Sequence, residues 1–304
     1  MIATIATHQI LALRRRGALR TLLSVIVGIN VLAGVLGWAS RATISGVYDE
    51  SVNLLKTRGL TAPPNPFLLK PSLSLLSNEI IYVTLIGALV ALVLGHLVVA
   101  EDETGAIGRL VFSRRVSRME FALGKIASVA GILGAAMLGS AGVSIAALVV
   151  VNRALPSGSD VARLLGFFAF SWVHLMLFAL IGMLSLLVMR RRSLGLLSAM
   201  GAWLVVTFVV PQFTSGLRPS QSLNPIVDSI STSQTFFKIT SKARPFSIAE
   251  QFKAVSGRIL ATGPQETVGH TILRALPILL GAFVLALAVA GLINIHDYAR
   301  SSNE

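Results

Sequence analysis

Apolar residues fall in long blocks separated by short polar segments. Six blocks contain no Asp, Glu, Lys or Arg: Thr21 to Ala39, Ile80 to Ala100, Ile126 to Val151, Leu164 to Met189, Leu194 to Phe213 and Ala275 to Ile293. At about 1.5 Å per helical residue, each can cross roughly 30 Å of hydrocarbon. Lipid offers no hydrogen-bond partner to a backbone amide, and these blocks are too long and too evenly apolar for barrel strands, so each must be a helix. The pattern predicts an all-α polytopic membrane protein: one domain over residues 1–304 with six transmembrane helices.

Patterns outside the blocks add detail. Ile2, Ile5, Gln9 and Leu13 form a partly apolar helical stripe ending in Arg14, Arg15 and Arg16, which suits segment 1–20 to a membrane surface. The first block is long for a signal h-region and is read as a retained helix. Arg190-Arg191-Arg192 divides about fifty apolar residues, so a tight hairpin turn is expected there. Pro63, Pro64, Pro66 and Pro71 predict an extended second half for the connection from Ser40 to Glu79. In the long loop 214–274, Ser247 and Glu250 stand at capping-box spacing. Ile248, Phe252, Val255 and Ile259 recur at helical spacing before Gly263-Pro264. An amphipathic helix lying on the outer surface is expected.

Composition agrees. The chain is 54% hydrophobic and 13% charged, against about 25% charged in soluble domains, and has no cysteine. That excludes disulfides, thiolate metal sites and thiol nucleophiles. The formal charge of +13 is accounted for by Lys and Arg flanking the spans, with no nucleic-acid partner required. The N-terminal segment, the 101–125 loop, the Arg190 turn and the tail hold thirteen Lys and Arg in about 60 residues; the opposite loops hold thirteen in about twice that length. The density places both termini in the cytoplasm.

Several chemistries lack their residues. All thirteen acidic residues are read as outside the spans or at their edges, with Glu79 opening the second span and Glu101 following it. Ion-coupled carriers commonly hold a carboxylate within the bilayer, which disfavours that class. Gly124-Lys125 lacks the upstream glycine of a phosphate loop, and the five histidines include no H-E-x-x-H, so the chain is not read as an enzyme and carries no cofactor or metal of its own. Asn30, His96 and His174 are polar residues in or near spans. For Asn30 and His174 an interhelical hydrogen bond is the default and a translocation route the alternative. Gly131, Ala135 and Gly139, with Gly134 and Gly142 on an adjacent stripe, are expected to support close helix packing or a subunit interface.

The most informative segment is the loop from Glu101 to Arg118. Acidic residues open it, then Ile107, Leu110 and Val111 at helical spacing predict a short amphipathic helix parallel to the membrane. A solvated basic anchor loop is the alternative. The order of residues resembles the acidic-x-x-Gly…Leu-x-x-Ser-x-Pro-x-Ser-Arg…Gly-Lys signature of type-2 ABC transporter permeases. Glu103 and Gly105 match its start, Leu110 or Val111 its apolar core, Ser113 the serine, Ser117-Arg118 the Ser-Arg pair and Gly124-Lys125 its end. Arg115 stands at the usual proline position. The resemblance implies a permease of the bacterial inner membrane, an exporter by family, that pairs with a second copy and docks a separate cytoplasmic ATPase through Glu103, Gly105, Ile107, Leu110, Val111, Ser113, Ser117 and Arg118. ATP and Mg would belong to that partner. A non-transporting membrane assembly protein and an ion-coupled carrier are the rival readings.

Overall fold

The computed structural model describes residues 1–15, 17–61, 63–64, 72–100, 117–152, 154–215, 235–262 and 268–293. Among these residues there are helices and no strands. An N-terminal helix, α1 (Ile2–Arg15), precedes the first span. The six helices long and apolar enough to cross a membrane are α2 (Ala18–Thr57), α3 (Leu73–Ala100), α4 (Arg118–Asn152), α5 (Gly158–Met189), α6 (Arg192–Ser215) and the last, from Gly269 to Leu292. Between the last two stands α7 (Ile248–Ile259); the final helix, α8, runs Val268–Leu292.

The expected spans are all present, and most extend past their apolar blocks. The largest extension is in α2, where helix continues from Ala39 to Thr57. Ile44, Val47, Leu54 and Leu55 recur at near-helical spacing through this polar stretch, so the half of the connection nearer the first span is helical before the prolines begin. Pro66 and Pro71 lie outside the described residues.

Spans α3 and α5 form the centre, with 72% and 56% of their apolar windows buried against 17–33% for the others. Two glycines set their separation. A Cβ on Gly95 would overlap the Ala179 carbonyl oxygen, and one on Gly182 would overlap that of Leu92. Small residues thus let two backbones touch, which compensates for the weakness of hydrophobic attraction between helices in lipid. The Gly131, Ala135 and Gly139 stripe behaves otherwise. These residues are exposed, and a Cβ on Gly131 or Gly139 would meet nothing within 4 Å. The expected packing role inside the bundle is therefore not theirs; only Gly134 of the adjacent stripe faces a neighbour, Trp172.

The expected hairpin is a two-residue reversal. Arg190 closes α5 in the left-handed region at φ 53°, its N–H donating to the Leu186 carbonyl, and extended Arg191 starts α6. Glycine normally fills such a C-terminal position. Gly195 is instead where the hairpin needs a missing Cβ, because one there would press on the Leu186 backbone.

Candidate functional site

Two polar constellations stand out, one at an end of the bundle and one inside it. The first surrounds the root of the 101–118 loop. Glu103, Gly105, Ile107, Leu110, Val111 and Ser113 lie outside the described residues, so the expected surface helix does too. Ser117 and Arg118 are described, and both are exposed in the first turn of α4. Ser117 forms a reciprocal capping box: its Oγ accepts from the Glu120 N–H at 3.2 Å, while its own N–H and hydroxyl donate to the Glu120 carboxylate at 3.2 and 3.1 Å. The serine matched to the family signature thus starts the third span.

The other end of the loop is fixed more heavily. The last carbonyls of α3 have no intrahelical partner and carry the negative end of the helix dipole. Lys125 Nζ, fully buried, donates to the Val98 carbonyl at 2.7 Å, and Gln9 Nε2 from α1 donates to the same oxygen at 3.0 Å. Arg192, from the hairpin after α5, donates to the Ala100 carbonyl at 2.8 Å. A Cβ on Gly124 would collide with the Ile5 side chain, so this glycine admits α1 against α4. Gly124 and Lys125, matched to the end of the signature, therefore each have a packing role at the loop root. The stripe on α1 is as expected, with Gln9 and Leu13 buried. Nothing in the sequence pattern marks the Val98 carbonyl as the meeting point.

The second constellation lies between α2, α3 and α4. Glu79, at the opening of the second apolar block, stands within the helix α3, which starts at Leu73, and is only 1% exposed. Ser144 Oγ donates to its Oε1 at 2.5 Å, and its Oε2 has no hydrogen-bond partner among the described residues. One turn along α4, Ser140 Oγ accepts from Asn30 Nδ2 at 2.8 Å; the same amide donates to the Ile26 carbonyl at 2.7 Å. The expected interhelical bond of Asn30 is thus present. Further out on the same seam, Arg41 reaches the Val151 carbonyl at 3.3 Å and the Asn152 side chain. Sequence reasoning missed Ser140 and Ser144. Their i, i+4 spacing within a span was the available signal.

His174 behaves differently from Asn30. It is fully buried near the middle of α5, and neither ring nitrogen has a hydrogen-bond partner among the described residues. Its ring stacks on Phe252 at 4.0 Å and meets Phe178 edge-on at 5.1 Å. The helix bearing Phe252 is α7, which the sequence places on the outer surface. The apolar stripe is as predicted, but Phe252 is fully buried against α5, so the helix packs into the bundle. The expected capping box is also absent: Ser247 caps no amide with its side chain. Glu250 instead accepts from Thr214 at 3.4 Å and from Ser215, and pairs with Arg244 at 3.4 Å. A carboxylate that binds the end of α6 is unavailable to its own helix N-terminus. His96 is buried near the end of α3.

Neither a family model nor a curated protein matches this chain.

Proposed function

We propose that this protein is the transmembrane permease subunit of an ATP-driven transporter, an exporter of the bacterial inner membrane that works as a pair and docks a separate cytoplasmic ABC ATPase on its 101–118 loop. Nucleotide and Mg would bind the ATPase, leaving this chain without catalysis of its own. The reading rests on the loop's resemblance to type-2 permeases and on one observation: Lys125, Gln9 and Arg192 all hold the last carbonyls of α3, immediately before the loop.

That arrangement suits transmission. A loop tethered by a single helix would dissipate an applied displacement in its own bending. Here the loop's entry is bonded to α1, α4 and the α5–α6 hairpin, while its exit is capped by Ser117 and Glu120. Closure of an ATPase dimer against the loop would move these elements together, the type of interface-driven step by which packed helices change between discrete states. The exposed face bearing Gly131, Ala135 and Gly139 is where the reading puts the second copy.

The test pairs two double substitutions in the full complex. Glu103→Ala with Arg118→Ala should leave membrane insertion normal while weakening ATPase co-purification or uncoupling hydrolysis from transport. Lys56→Ala with Arg58→Ala, at the far end of α2, should do neither. Exposed ion pairs contribute only about 0–1 kcal/mol, so a mere anchor loop would tolerate the first pair as well as the second. Equal behaviour of the two variants would sink the docking assignment and favour a non-transporting membrane protein.

A further inference from the structure

Where α2 leaves its apolar block, one of its faces changes character step by step. Val27, Val31, Trp38, Ser45 and Asp49 follow one another at spacings of four, seven, seven and four residues, which keeps them on one narrow side of the helix. The two valines and Trp38 are exposed within a membrane-length helix, and Asp49 is exposed on its outward extension. From the middle of the span outward, the face is hydrocarbon, then an indole, then a hydroxyl, then a carboxylate. Indoles gather at the level where hydrocarbon gives way to lipid headgroups.

Beside this face, α2 and α4 border an open groove of about 430 Å³ lined by Trp38, Arg41, Ala42, Ser45, Val150 and Val151. Arg41 is half-buried in its wall and is held in place: Nη1 donates to the Val151 carbonyl at 3.3 Å and to the Asn152 side chain. Neither acceptor is a carboxylate, so these bonds orient the guanidinium and leave its charge without an acidic partner. Nε and Nη2, and the Ser45 hydroxyl one turn along α2, are unspent among the described residues. Nε and Nη2 form one edge of the planar guanidinium, the pair of donors that grips a phosphate bidentately, and a neighbouring hydroxyl can donate to a third oxygen.

Beyond Ser45 the sign of the charge reverses. Asp49 lies about 6 Å further along the same face, with Glu50 next to it, so any group carried beyond a phosphate on Arg41 meets negative charge. A second anion is repelled there, and an amine is attracted and can donate hydrogen bonds.

We infer that the groove between α2 and α4 binds one zwitterionic phospholipid with a primary amine. Its phosphate rests on Arg41 and Ser45, its ammonium points toward Asp49, its glycerol lies against Trp38 and an acyl chain follows Val31 and Val27. The inference goes beyond the permease reading and does not depend on it. Both leaflets of a bilayer carry phosphate, so it holds whichever end of the bundle faces the cytoplasm.

The experiment uses the full chain, delipidated in detergent, and native mass spectrometry with phosphatidylethanolamine, phosphatidylglycerol or phosphatidylcholine of identical acyl chains. Phosphatidylethanolamine should saturate one site per chain and bind about threefold or more tightly than the other two, neither of which offers an N–H donor. Arg41→Ala should weaken it about tenfold and Ser45→Ala less, while Asp49→Asn should abolish the preference over phosphatidylglycerol. Thermal unfolding identifies the variants that fold; should Arg41→Ala not fold, Trp38→Ala and Asp49→Asn, at exposed positions, decide the matter by the same losses. Equal retention of the three lipids by the wild type, or wild-type affinity in Arg41→Ala and Ser45→Ala, would mean ordinary solvation of an apolar face and overturn the inference. Displacement of the lipid by millimolar inorganic phosphate would make the groove a site for free anions and overturn it as well.

Discussion

Gly95 and Gly182 determine how closely the two central spans stand, because each faces the other helix's carbonyl with no room for a methyl group. Replacing either by alanine requires the backbones to separate, and overpacking of this kind costs about 1–3 kcal/mol or more. Gly46 offers the contrast: it is exposed within α2, and a Cβ there meets nothing within 4 Å. Gly46→Ala should be neutral or raise stability by about 0.5–1 kcal/mol through lost unfolded-state freedom, while Gly95→Ala and Gly182→Ala lower it. Thermal unfolding of the three variants in one detergent checks the ordering, and a tolerant Gly182→Ala would contradict the close approach. At this scale the sequence was informative where a residue's chemistry is intrinsic and silent where its partner decides. Asn30 in an apolar block demanded a hydrogen bond, and has one. Glycine spacing alone could not separate the exposed Gly131 stripe from the buried Gly95 and Gly182 contact, since both are small residues on apolar helices. The burial of Glu79 was not legible, because it stands at the edge of its apolar block and only the structure shows that the helix starts six residues earlier.

Among the elements, α7 shows what periodicity can and cannot tell. Its stripe of Ile248, Phe252, Val255 and Ile259 was readable because helical spacing identifies the apolar face. What covers that face is a tertiary fact, and here it is α5, with Phe252 stacked between His174 and Phe170. Glu250 anchors the same helix from the other side through Ser215, Thr214 and Arg244. Removing the Phe252 ring should therefore behave as a core truncation. Phe252→Ala is expected to cost about 3–5 kcal/mol and to expose the 235–262 region to protease. A helix resting on the membrane surface would lose under about 1 kcal/mol from the same change, so a small loss measured by denaturation would return α7 to the surface. The N-terminal helix is a similar case: its stripe was legible and suggested a membrane surface, while the burial of Gln9 and Leu13, the contact of Ile5 with Gly124 and the Gln9 bond to Val98 were not.

For the whole molecule, side-chain contacts group the ends of the helices, and the charge pattern carries an expectation of their orientation. The contacts of Gln9, Lys125 and Arg192 with the end of α3 bring α1, the 101–118 loop and the Arg190 hairpin to one end of the bundle. Arg41 with Asn152, and Glu250 with Ser215, lie at the other, beside the outward extension of α2. The six apolar helices and this grouping are internal to the fold, whereas a cytoplasmic position for the first end is the expectation set by the density of Lys and Arg in the short loops. Arg190, Arg191 and Arg192 stand in succession between two spans, and one arginine at a helix centre costs about 2.5–3.5 kcal/mol on insertion scales, so this turn should remain on the side where it is made. The chain has no cysteine, which permits a direct measurement with single introduced thiols. In intact cells a membrane-impermeant maleimide should label Asp49→Cys, exposed on the α2 extension, and leave Ser193→Cys unlabelled until the membrane is opened. Phe252→Cys would not report sidedness, because that position is buried. Labelling of Ser193→Cys from outside, with Asp49→Cys protected, would invert the molecule and remove the 101–118 loop from the reach of any cytoplasmic ATPase.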